Sequence, residues 1–158
     1  MGANGYRRVV ITGLGAVTPL ASDIAVSWER VLEGRSAAGP ISAFDAGGFP
    51  VSFACEAKDF EPTQWINPRQ ERQMDRFAQL VVAAARQAEA DSGIEIGKES
   101  ERIGASVATA MGGMSAFEDC CATLTESGAD RVNPFSLLAV IPNAAAARVS
   151  IQLGTRGH

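Results

Sequence analysis

Tyr6-Arg7-Arg8-Val9-Val10-Ile11-Thr12-Gly13-Leu14-Gly15-Ala16-Val17 is the stretch that decides the fold. Val9, Val10 and Ile11 are consecutive and β-branched and run into a glycine-containing turn, which predicts a buried strand over 6–17. Just beyond it, Ser22 offers a capping oxygen, Ile24, Trp28, Val31 and Leu32 recur at helical spacing, and Gly34 stands where a left-handed C-terminal residue is needed. Strand, turn and helix in that order are the start of an α/β layered fold with parallel pairing.

The rest of the chain continues the alternation. Gly39 to Pro50 reads as a loop, and Val51, Phe53 and Cys55 alternate as in a short strand. Asn67-Pro68 is a helix start with a capping side chain, a proline that loses no needed hydrogen bond, and Gln70 placed to reach back. That helix is expected to reach Ser92-Gly93, with an apolar stripe of Phe77, Leu80, Val81, Ala84, Ala85 and Ala88 small enough for another backbone to approach. Arg102 to Thr109 is a second core strand candidate, leading into Met111-Gly112-Gly113-Met114. Ser115-Ala116-Phe117-Glu118 reads as a capping box that opens a helix to Gly128, and a last helix runs from about Asn143 to Gly154. Two core strands are few, since a sheet covered by helices usually has about five or six. The expectation is therefore an incomplete sheet in a chain cut short.

Composition excludes several classes of function. The only histidine of the 158 residues is His158, the last one, so the chain holds no internal histidine to act as a base between a nucleophile and a carboxylate. Three cysteines, Cys55, Cys120 and Cys121, give no structural zinc spacing, and adjacent cysteines on a helix point about 100° apart, which suits neither an ordinary disulfide nor a Cys-x-x-Cys motif. Packing is the role expected of them. With 14 Lys+Arg against 18 Asp+Glu, the formal charge of -4 is the wrong sign for gripping nucleic acid with the whole surface. No apolar run is long enough to span a bilayer and no signal peptide is evident, so a soluble, cytoplasmic protein without metal or cofactor is expected.

Two constellations remain. Gly13-Leu14-Gly15 sits where a dinucleotide fingerprint would, but the sixth position is Thr18 and the helix starts late, so a tight structural turn is the better reading. Arg69, Arg72 and Arg76, at i, i+3 and i+7, would share one basic helical face on an acidic chain, either solvated beside Glu71 and Asp75 or docking an acidic partner.

Arg7 to Gly15, Gln73-Met74-Asp75-Arg76-Phe77, Arg102-Ile103-Gly104 leading to Met111-Gly112-Gly113, and Leu153-Gly154-Thr155-Arg156-Gly157 occur in one order and at one spacing. Together they resemble the N-terminal part of β-ketoacyl-acyl carrier protein synthases, most closely the type II condensing enzymes of bacterial fatty-acid elongation. The resemblance implies the thiolase fold, two similar halves each with a five-stranded sheet, of which this chain would be a fragment of the first, 1–158 ending before the nucleophilic cysteine. It implies decarboxylative condensation of an acyl thioester with malonyl-carrier protein, acyl carrier protein as partner, and a homodimer. The family's catalytic cysteine, two histidines and lysine match no position here, so no catalytic residue is assigned and the chain alone should be inactive. Arg69 and Arg72 match carrier-docking positions, with Gln73 in place of a third basic residue and Arg76 one turn on as a substitute. Met111 matches the position closing the far end of the acyl pocket, and Phe135, Ser136 and Leu137 match a loop completing the pocket of the dimer partner, with Ser136 where a bulky aromatic is usual. The rival reading is a non-catalytic subunit resembling a chain-length factor.

Overall fold

The helix signals act locally, and most of them form as expected. A computed structural model describes residues 6–158. Its helices are α1 (Ile24–Leu32), α2 (Pro68–Glu71), α3 (Arg76–Ser92), α4 (Met114–Ser127), α5 (Ser136–Val140) and α6 (Ala144–Leu153). Short 3-10 turns occupy 62–64, 96–98, 100–102 and 129–131. Gly34, Gly93 and Gly154 all adopt positive φ just past helix ends, the backbone region in which a Cβ is penalised.

α3 is the spine. Its Ala78 and Val82 are 1% exposed and pack with Ile66, Met74, Ala145 and Val149 into one core cluster, so α6 lies directly against α3. Alanines on both helices let the two backbones come close. The expected stripe is shifted: Phe77, Leu80, Val81, Ala84, Ala85 and Ala88 are only half-buried, while Ala78, Val82, Ala83 and Gln87 are buried. α6 takes the 78/82 side, whereas the 84/88 side meets backbone rather than side chains. A Cβ built on Gly15 would collide with the Ala84 carbonyl and lie 2.7 Å from the Ala88 nitrogen, and one on Gly13 would lie 2.6 Å from the Ser92 nitrogen. These glycines are contact points for α3, as the small side chains of its stripe require.

The two expected core strands are not ladder strands. No sheet partner bonds 6–17 or 102–109 among the described residues, and Val9 and Ile11 are 94% and 82% exposed. A strand is stabilised by its neighbours, and β-branched side chains with nothing against them cannot supply a ladder. The one sheet among the described residues is instead antiparallel, β1 (Ala38–Pro40) with β2 (Phe53–Cys55), in the register Ala38 to Cys55 and Pro40 to Phe53. The sequence pattern predicts β2, whereas β1 overlaps the start of the predicted 39–50 loop. Glu56 closes this hairpin by accepting from the Ser42 hydroxyl and from the Ser42 and Ala43 amides, each at 2.9 Å. The Ser42 hydroxyl foremost, then those amides and Lys58, lower its pKa to about 2 despite some desolvation.

Two caps differ from expectation. Asp23, not Ser22, caps α1, accepting from the Ala25 and Val26 amides. Ser115 lies inside α4, whose N-cap is Gly113 without a side-chain bond, so the capping box does not form. Buried Gln87 ties α1 to α3 instead: its Oε1 accepts from the Ile24 amide at 3.1 Å and its Nε2 donates to the Ser22 carbonyl at 2.8 Å.

Candidate functional site

Asn67 and Pro68 start a helix as the sequence suggests, with Asn67 accepting from the Arg69 and Gln70 amides. That helix lasts four residues. Asp75 then adopts an extended conformation (φ -69°, ψ 157°) and caps α3 through the Phe77 amide. The break at 72–75 divides the three arginines. Arg69 lies on α2, Arg72 is its C-cap, and Arg76 begins α3, so they do not form one helical face. Arg76 is exposed but held: Nη2 donates to the Ala57 carbonyl at 2.6 Å and the guanidinium stands 5.4 Å from the Phe60 ring centroid.

The break opens a cleft of about 390 Å³ between the start of α3, α4 and the segment entering α5. Arg72, Arg76 and Arg131 line it together with Cys120, Phe135 and Ser136. The structure thus brings Arg72 and Arg76 to the same hollow as Phe135 and Ser136, which are more than fifty residues away in the chain. Arg69 and Leu137 lie outside it, and Leu137 is 66% exposed. Met111 is also outside it and exposed, next to a glycine pair that is held firmly. Gly112 has φ 77°, Gly113 donates to the Val140 carbonyl at 2.9 Å, and a Cβ on either residue would strike the carbonyl end of α5.

Arg131 escaped the sequence reading because it stands alone, and only the fold sets it opposite Arg72. Asp75 escaped as well. Its side chain is buried, and beyond capping α3 it accepts from the Ala116 amide of α4 at 2.8 Å. The signal present in the sequence was an Asp before a helical run, the usual mark of an N-cap.

The cleft carries three arginines, the carboxylates of Asp75 and Asp119, and one half-buried thiol, Cys120, while Cys55 and Cys121 are exposed, and all three thiols are free. Among the described residues, no three His, Cys, Asp or Glu side chains gather as a metal site. No helix among them is long and apolar enough to cross a membrane. The Gly13-Leu14-Gly15 turn does not present a helix N-terminus to a phosphate. Asp23 occupies the start of α1, and Asp91 accepts from the Leu14 amide at 2.8 Å. Thr18, where a third glycine would stand, accepts from the Leu20 and Ala21 amides.

The chain is 39% identical over 152 residues to a 3-oxoacyl-acyl-carrier-protein synthase 2 of Coxiella burnetii, a match covering 96% of this chain and 37% of that protein. Its fold superposes on the ishigamide ketosynthase/chain length factor with a TM-score of 0.81 at 28% identity, over 96% of this chain and 38% of that one. A likeness of fold alone, TM-score 0.77 at 24% identity over 97% of this chain and 41% of the other, links it to AntDE:AntF, described as a type II PKS acyl-carrier protein in complex with its ketosynthase bound to the hexaketide. The chain therefore spans little more than a third of the length of such relatives. Its architecture is a partial α/β form of the thiolase-like ketosynthase fold. The family model for the beta-ketoacyl synthase N-terminal domain matches residues 6–158, and the chain belongs to that family.

Proposed function

We propose that this chain forms part of a 3-oxoacyl-acyl carrier protein synthase, which joins an acyl thioester to malonyl-carrier protein with loss of carbon dioxide during chain elongation. Its own share of that work is docking and shaping. Arg72, flanked by Arg69 and Arg76, receives the acidic carrier protein, and Arg131 adds a cation across the same cleft. Met111, Phe135, Ser136 and Leu137 contribute to the acyl pocket, the last three toward the partner in a homodimer. The setting is the cytoplasm. Condensation needs an activated thiolate and donors for the developing enolate, and three thiols with a single terminal histidine do not supply them, so the 158-residue chain is expected to be inactive by itself.

The observation that carries this reading is the cleft itself, where Arg72 and Arg131 face the segment bearing Phe135 and Ser136 in a chain whose formal charge is -4. Arg72, Arg76 and Arg131 outnumber Asp75 and Asp119 along this cleft, and a locally basic hollow on an acidic protein suits an acidic partner, since complementary charge speeds encounter and fixes orientation. Calorimetric titration of the chain with holo-acyl carrier protein at low salt tests it. Binding should occur, and Arg72→Glu should weaken it about tenfold or more, as like charges meet where opposite ones did. Equal affinity for both proteins would reject docking at Arg72.

A further inference from the structure

Two helices share one buried carboxylate, and a third lies beside it. Asp75 is 8% exposed, and its two oxygens serve different helices: Oδ1 accepts from the Phe77 amide of α3 at 3.2 Å, and Oδ2 accepts from the Ala116 amide of α4 at 2.8 Å. The Asp75 Cβ stands 3.0 Å from where a Cβ on Gly113 would lie, and the carbonyl of Ala139 in α5 closes that position from the other side. Gly113 is also the N-cap of α4 and donates to the Val140 carbonyl. Around one side chain are therefore gathered the start of α3, two residues from Arg72's neighbour Gln73; the glycine turn that follows Met111; and the end of α5, which begins at Ser136.

We propose that Asp75 is a positioning residue, setting the Met111–Gly113 turn and α5 at a fixed distance from the carrier-docking arginines. The proposal rests on the docking reading above. Its chemistry is specific. α4 has no cap of its own, so the Ala116 amide, one of the free donors at its start, depends on a side chain 41 residues earlier in the chain. A charge-assisted bond to a buried carboxylate is among the stronger hydrogen bonds a protein makes. Gly113 has to lack a side chain because Asp75 and Ala139 leave no room for one. From Arg72 to Met111 the contacts run through Asp75, Ala116 and Gly113.

Two substitutions separate this role from simple capping of α3. Asp75→Asn keeps one accepting oxygen for two amides, so either Phe77 or Ala116 loses its acceptor. Asp75→Ser also caps α3 and is too short to reach α4. Amide hydrogen exchange and backbone NMR of the 158-residue chain, free and titrated with holo-acyl carrier protein, read both ends. In Asp75→Ser exchange at Ala116 should accelerate about tenfold while the Phe77 and Ala78 amides keep their protection, and in Asp75→Asn one of the Phe77 and Ala116 amides should lose protection. Carrier binding to the unsubstituted chain should shift the Gly113 and Ala116 resonances along with those near Arg72. In Asp75→Ser the Gly113 and Ala116 shifts should disappear at saturating carrier. Unchanged Ala116 exchange in Asp75→Ser overturns the proposal, and so does a bound carrier that leaves Gly113 and Ala116 unmoved in the unsubstituted chain. Absence of any carrier binding removes the docking reading and with it this role, an outcome distinguishable because the exchange change at Ala116 would persist.

Discussion

Substituting Gly15→Ala adds one methyl group where α3 leaves no space. The new Cβ would sit 2.7 Å from both the Ala88 nitrogen and the Gln87 Cβ, and closer still to the Ala84 carbonyl oxygen. Ordinary contact begins at 3.4 Å, so the separation falls short by about 0.7 Å at the milder two of these contacts. Two of the three atoms are helix backbone and cannot rotate away. Relief requires moving the 13–16 segment or α3, and α3 is fixed on its far side by Ala78 and Val82 packed against α6. Overpacking of this kind costs about 1–3 kcal/mol. At this chain length each kcal/mol lowers Tm by about 2–4 °C, so a fall of about 2–12 °C is expected in a circular dichroism melt. Gly97→Ala is the matched control, because nothing lies within 4 Å of the added Cβ. Its Tm should hold or rise slightly as the unfolded chain loses freedom. If Gly15→Ala and Gly97→Ala melt together, the close-approach explanation of Gly15 fails. Calorimetry with NAD and ATP completes the test: heat of binding would restore the phosphate-loop reading that the packing replaces.

Other consequences are equally checkable. Val82, 1% exposed in the core shared by α3 and α6, should cost about 1–3 kcal/mol of stability on Val82→Ala, read from the urea midpoint; an unchanged midpoint would mean the two helices do not hold together through this residue. Glu56 has a folded pKa lowered from 4.5 to about 2, so its contribution is complete above pH 4.5 and is lost as pH falls toward 2. Glu56→Gln should flatten that part of the acid stability profile, and parallel profiles for the two proteins would exclude Glu56 as its source. Met111→Gly and Met111→Phe, made in a protein competent for condensation, should move the product chain-length distribution in opposite directions, longer for Gly and shorter for Phe; two unmoved distributions would remove Met111 from the pocket wall.

Legibility in the sequence followed the range of the interaction. Asn67-Pro68, Gly34, Gly93 and Gly154 mark helix ends through bonds within a few residues, and each works as read. The tight glycines at 13 and 15 were legible as a turn, while their need to be glycine belongs to α3, some seventy residues on. Single-helix reasoning joined α2 to α3 because nothing between Arg69 and Phe77 breaks a helix by propensity. The break is made by Asp75, whose carboxylate is committed to α4 as well as α3. The same limit placed the α3 stripe one step away from its buried face, since α6 rather than periodicity selects the side that is covered.

The order and type of most helices, the placement of β2 and the family resemblance were properties of the sequence by itself, because capping, glycine turns and ordered motifs are written within short spans. Tertiary structure alone decided that Arg72 and Arg131 share a cleft, that Gln87 holds α1, and that Asp75 carries the start of α4. It also decided that Val9 and Ile11 have no ladder partner among the described residues, although their side chains suit a buried strand. A side chain's propensity is its own, but a hydrogen-bond partner 41 residues away, or a neighbouring strand, is a property of where the chain returns in space.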